Sequence, residues 1–150
     1  MNNVSARSAF SPPFTPAESV KVVEQLTPWE GGSQTPFAKI AWVRRSIAAR
    51  SDRKRFFSSG LFSDPAWDML LELYVASLAQ RRIQVSRLSE RTGVPATTGL
   101  RWIAALEAEG LIKREADRLD ARIVLLSLTD FGRKAMESYF ETLPADTIVL

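Results

Sequence analysis

The sequence predicts a mainly α-helical chain with one small β-hairpin wing, a winged helix-turn-helix. Three observations predict it. Helix starts recur where a hydroxyl or carboxylate residue precedes proline, at Thr35-Pro36 and Asp64-Pro65. Two short amphipathic stretches are joined by only Gly93-Val94-Pro95, and helices joined by so tight a turn cross steeply. Finally, two apolar extended segments flank a charged loop over 115–122, the pattern of a hairpin with a polar tip.

Composition narrows the chemistry. The 150 residues are 45% apolar, which suits one domain with a real core. Cysteine and histidine are both absent. Disulfides, thiolate or imidazole metal sites, thiol switches and His-dependent triads are therefore excluded, and no metal or cofactor is expected. The net charge of +3 conceals an uneven distribution: residues 39–55 carry +6, residues 81–122 carry +3, and the rest carries −6. Two basic regions in a nearly balanced chain suit contact with a polyanion. No run approaches the roughly 18 apolar residues of a membrane span. The N-terminus lacks the apolar segment of a secretory signal, so a cytoplasmic protein without membrane contact is expected.

The elements follow in order. Residues 1–35 hold four of the eight prolines and a Gly31-Gly32 pair. Such a segment buries too little surface to offset its ordering entropy, and reads as a mostly flexible tail. Within it, Thr15-Pro16-Ala17-Glu18 is a capping-box start for a short helix. Residues 36–62 form an N-terminal helix and basic linker, with Phe37, Ile40, Ala41 and Ile47 at helical spacing to about Arg50. The winged unit spans 63–143, and 144–150 is a C-terminal tail. Asp64 caps a helix opened by Pro65; Trp67, Leu70, Leu71, Tyr74 and Leu78 give it an apolar stripe wide enough for a buried central helix reaching about Ala79. Ile83-Gln84-Val85 is a short extended piece. Ser86 then caps a helix that carries Leu88 and ends at Gly93, and the next runs from Ala96 to Glu109 and stops at Gly110. After the strands Leu111–Arg114 and Ile123–Leu128, Thr129 caps a last helix with Phe131, Ala135, Met136, Tyr139 and Phe140 available for packing.

The run Leu106-Glu107-Ala108-Glu109-Gly110-Leu111-Ile112-Lys113-Arg114, then Asp120-Ala121-Arg122, then Leu128-Thr129-Asp130-Phe131-Gly132 resembles the DNA-binding region of the multiple-antibiotic-resistance regulator (MarR) family of bacterial winged-helix proteins. The resemblance spans residues 67–143, about half the chain. It implies a transcriptional regulator that binds double-stranded DNA as a homodimer, with no catalytic activity, and it admits a small-molecule effector that no residue here identifies. It also implies that Arg122 enters the minor groove. Where many members carry a second arginine this chain has Ala121, and Arg118 is the residue placed to replace it.

The residues themselves give a physical reading of the same parts. The helix from Ala96 presents Thr97, Thr98, Gly99 and Arg101 early, where a helix N-terminus meets base edges in the major groove. Ala96 and Gly99 let the backbone approach, while Leu100, Ile103 and Leu106 face inward. Trp102 reads as a packing residue ahead of a base-stacking one. Asp120 stands two residues before Arg122, so on an extended strand the carboxylate holds the guanidinium. Ser86, Arg87 and Thr97 are candidate phosphate contacts, with Arg53, Lys54, Arg55, Arg81 and Arg82 as additional ones. The denser cluster of Arg44, Arg45, Arg50, Arg53, Lys54 and Arg55 has two readings: it flanks the DNA, or it solubilises a dimerisation helix whose apolar face carries Phe37, Ile40, Trp42 and Ile47. Residues 36–55 and 130–150 are the segments expected to pair two copies, the apolar end Thr147-Ile148-Val149-Leu150 among them.

Two other functions compete. A winged helix can serve as a protein-interaction module, here with Trp29 and Trp42 docking a partner. An enzyme would need the carboxylate pairs Glu107/Glu109 or Asp117/Asp120, which end a helix and tip a hairpin instead of lining a cleft. For a regulator, the absence of Cys and His removes thiol oxidation and imidazole protonation as switches, leaving a ligand, a partner, modification or expression level.

Overall fold

A computed structural model of the chain describes residues 35–57, 63–144 and 147. The helix start at Thr15-Pro16, Trp29 and the terminal Ile148-Val149-Leu150 lie outside the described residues. Helix α1 (Pro36–Phe56) opens as its sequence dictates: Thr35 occupies the cap position and its Oγ1 accepts the Ala38 N–H at 3.3 Å. It continues past the expected end near Arg50 to Phe56. Its buried face is narrow, consisting of Trp42, Val43, Ser46 and Arg50, while Phe37, expected on that face, is exposed.

So polar a helix is fastened by charge. Arg50 Nε donates to Asp68 Oδ1 at 2.6 Å, and Arg44 Nη1 donates to both Glu72 oxygens at 3.1 and 3.2 Å. Both acids belong to α2 (Pro65–Leu78), which Asp64 caps through the Trp67 N–H and which forms the core with Met69, Leu71, Leu73, Tyr74 and Val75. Tyr74 stacks on Phe140 of the last helix, ring centroids 5.3 Å apart, and Trp42 meets the same ring edge-on at 5.0 Å. The Trp42 indole N–H is taken by the Thr147 carbonyl.

The sheet is small and antiparallel, with β3 (Val124–Leu128) between β1 (Ile83–Gln84) and β2 (Ile112–Ala116). Register pairs Ile83 with Leu126 and Ile112 with Leu128, so these four residues share the core side. Helix α3 (Val85–Thr92) begins directly after β1, with Gln84 in the cap position. Ser86, expected to cap it, therefore lies inside the first turn and is exposed: Gln84 pairs with Leu125, and the strand turns into helix with no residue to spare. Gly93 ends α3 at φ 68°, a left-handed conformation that favours glycine. Helix α4 (Ala96–Ala108) follows behind Pro95.

The last helix, α5 (Asp130–Glu141), is capped as expected by Thr129, whose Oγ1 accepts the Gly132 N–H at 3.0 Å and donates to the Gly110 carbonyl. One hydroxyl thus joins the end of α4 to the start of α5. Met136 and Phe140 are buried; Phe131 and Ala135 face outward, and Tyr139 is half exposed against Trp67.

Candidate nucleic-acid interface

The two helices of the turn unit begin without the side-chain caps that close the others. Neither Gln84 nor Pro95 makes a side-chain cap bond. Helix N-termini without such caps carry N–H groups able to meet an anion. Gly99 sets how closely α3 and α4 cross: a Cβ added there would sit 2.1 Å from Ser89 Oγ and 2.9 Å from Ser89 Cβ. The buried face of α4 is accordingly Gly99, Ile103 and Leu106, and its outward face carries Thr97, Arg101, Ala104 and Ala108. Apart from Arg101 these are small, so the backbone of α4 can approach another surface.

The wing is tied down by its own carboxylates. Asp117 Oδ1 accepts the N–H groups of Leu119 and Asp120 at 2.8 and 3.2 Å. Asp120 then grips Arg122 from three donors: the backbone N–H at 3.1 Å, Nε at 3.0 Å and Nη2 at 3.0 Å. The side-chain bond from Arg122, followed by the backbone one, holds the Asp120 carboxyl below its usual 3.8, and the pairing raises Arg122 in turn. The guanidinium is oriented yet 90% exposed. The pair forms in a turn, where the local loop geometry, and not the expected extended strand, brings the two side chains together. At the wing base Glu115 takes Lys113 at 2.8 Å and Arg82 at 3.1 Å, and these bonds, Lys113's first, keep its carboxyl below 4.5.

Between α4 and the wing lies an open groove of about 470 Å³. Ala96 and Leu100 form one wall; Arg122, Ile123 and Val124 form the other; Gln84, Val85 and Ser86 lie at the start of α3. On the opposite flank of α4, Thr98, Arg101, Trp102 and Ala105 border a smaller depression of about 290 Å³.

No family model matches the chain. It is similar to an uncharacterised HTH-type transcriptional regulator, YwaE of Bacillus subtilis (strain 168), with 28% identity over 75 residues, covering 50% of this chain and 42% of that protein. The chain therefore spans less than half of that relative's length. Among solved structures it resembles S. aureus MepR bound to ethidium bromide, with TM-score 0.50 and 16% identity over 85% of this chain and 74% of that one. A MepR–DNA complex aligns with TM-score 0.47 and 20% identity over 66% and 77%. The fold is a winged helix-turn-helix.

In this winged helix the expected site residues divide into groups. Thr97, Arg101, Ser86, Arg87, Arg81 and Arg118 are exposed, and Thr98 is half buried. Arg122 and Ser86 border the same groove, whereas Thr98 and Arg101 border the other flank. Gly99 is a correction: it faces α3 and serves helix crossing, so it offers no surface. Leu100, expected inward, is 45% exposed, and Trp102, assigned to packing, is 38% exposed.

Several of the basic residues are already engaged. Arg82 is held by Glu115, Arg87 pairs with Glu90 at 3.1 Å, and Arg55 pairs with Asp52 at 3.6 Å. Arg53 is half buried, and the Lys54 side chain lies outside the described residues. Arg44 and Arg50 both bind α2, Arg50 buried and Arg44 half exposed. Glu107 pairs with Arg114 at 2.9 Å, while Asp117 closes the wing loop and Asp120 holds Arg122. Trp42, offered as a docking residue, is buried. The residue that sequence reasoning missed is Glu72. Its only signal is a lone carboxylate inside the apolar stripe of α2.

Proposed function

We propose that the chain is a sequence-specific DNA-binding transcriptional regulator acting as a homodimer. One observation carries the reading: the oriented, exposed guanidinium of Arg122 stands across a single groove from the first turns of α4. In this reading α4 enters the major groove, where Thr97, Thr98 and Arg101 meet base edges, and Arg122 enters the adjoining minor groove, whose narrow A·T-rich form attracts arginine. Ser86, Arg87 and the N-terminal N–H groups of α3 meet phosphates and fix the register. The similarity to an HTH-type transcriptional regulator over half of this chain supports it. Two copies double the bases read, and the exposed Phe37 and Phe131 supply apolar surface to join them.

Selection of bound DNA from a random pool tests the reading. One two-fold-related sequence is expected to enrich, with binding falling steeply as salt rises because neutralised phosphates release counterions. Arg122→Ala is expected to weaken binding about ten-fold or more while leaving the melting temperature in place, since lost groove contacts cost roughly 1–3 kcal/mol. Enrichment of no sequence together with salt-independent binding refutes the function; unchanged affinity in Arg122→Ala removes the wing from the mechanism.

A further inference from the structure

The groove between α4 and the wing has a chemistry of its own. Leu100, Val85, Ile123 and Val124 give it an apolar lining, while Arg114 and Arg122 stand beside them. Arg114 gives Nε to Glu107, and Arg122 gives Nε and Nη2 to Asp120. A guanidinium has five N–H donors, so each arginine keeps donors for an anion. An apolar lining with two cations beside it fits a group that is itself apolar at one end and anionic at the other.

The proposed function, on which this inference rests, supplies such a group by geometry alone. A helix in a major groove and a wing in the adjoining minor groove are separated by one sugar–phosphate strand of the duplex. That strand must pass through the space between α4 and the wing. Its phosphates then lie toward Arg114, with Arg122 beyond them in the minor groove, and the base edges of its nucleotides turn toward α4. Of the side chains α4 presents there, Thr97 and Arg101 are polar and Ala96 and Ala104 are small. On the groove side Leu100 is the large apolar one, 45% exposed, while Trp102, 38% exposed, borders the opposite flank. In the major groove the apolar feature of a base pair is the 5-methyl group of thymine.

We propose that Leu100 reads a thymine methyl group, making it a specificity-determining residue that selects thymine at one fixed position of each half-site. The contact needs no hydrogen bond and discriminates through desolvation of the methyl group.

The test uses the full chain and the DNA it selects, with each thymine replaced in turn by deoxyuridine. The replacement removes the methyl group and leaves base pairing intact. Wild-type protein is expected to lose about four-fold in affinity at one thymine per half-site, the equivalent of ~0.8 kcal/mol for one buried methyl-sized group. Leu100→Ala is expected to bind thymine and uracil equally at that position, whereas Arg101→Ala weakens binding overall yet keeps the ratio. Wild-type indifference to uracil at every position, in a chain that still selects a sequence, overturns the assignment and leaves the DNA-reading function standing. A Leu100→Ala variant that still discriminates overturns it too. A chain that enriches no sequence overturns the function itself, and the assignment with it.

Discussion

The Glu72 cluster makes an asymmetric prediction about stability. The Glu72 side chain is only 6% exposed and takes Arg44 from α1 and Arg91 from α3, the latter at 3.0 Å, whereas the two arginines are 46% and 48% exposed. Removing the acid leaves two cations that water can rehydrate. Removing both cations leaves a carboxylate buried with neither partner. Loss of the partners of a buried charge costs about 3–5 kcal/mol, whereas replacing a buried ionic group by an apolar one of similar volume is often neutral. Glu72→Leu is therefore expected to stay within about 1 kcal/mol of wild type. The double variant Arg44→Ala/Arg91→Ala is expected to lose about 3 kcal/mol or more, and each single arginine variant falls between. Urea unfolding of the full chain measures all four, using the midpoint with the slope checked for constancy. If Glu72→Leu loses as much as the double arginine variant, or the double variant loses under about 1 kcal/mol, the carboxylate is not the desolvated member of the cluster and the reasoning fails.

Two further predictions concern the core and the helix crossing. Gly99→Ala is expected to destabilise by about 1–3 kcal/mol because the new methyl group meets Ser89; at a solvent-facing helical glycine the same change stabilises by about 0.5–1 kcal/mol, so the sign of the melting-temperature shift decides which way Gly99 faces. The Tyr74 hydroxyl is buried with no hydrogen-bond partner among the described residues, and burial above all, then the nearby Glu137 and Glu141, pushes it up to about 12. Tyr74→Phe is thus expected to gain about 1 kcal/mol at neutral pH. The unfolded tyrosine ionises near 10.0 while the folded one stays protonated, so Tyr74's contribution is whole below pH 10 and is lost as pH rises from there toward 12. Denaturation curves should show a shallower alkaline decline for Tyr74→Phe, and an unchanged decline counts against the burial argument.

What was legible in the sequence was local. Thr35, Asp64 and Thr129 cap helices because a side-chain oxygen reaches an N–H three residues on, and nothing farther away is needed to see it. Asp120 and Arg122 likewise meet two residues apart, although a turn and not a strand brings them together. Glu72 was not legible, because its partners stand 28 and 19 residues away on helices whose approach no local pattern encodes. The same limit explains Ser86: only the pairing of Gln84 with Leu125 shows that the helix has already begun.

The facing of α4 shows the limit at the site itself. Both Leu100, Ile103, Leu106 and Gly99, Ile103, Leu106 fit helical spacing, and hydrophobicity favours the first set because glycine adds nothing to an apolar count. What selects the second is Ser89 on the neighbouring helix, which leaves room for a hydrogen but not for a methyl group. Turning Gly99 inward places the next residue toward the groove beside the wing. The close α3–α4 crossing and the exposure of Leu100 are therefore one structural fact. Gly99 thus acts by deciding which side chain of α4 faces the groove, and a methyl group at position 99 would disturb that choice as well as stability.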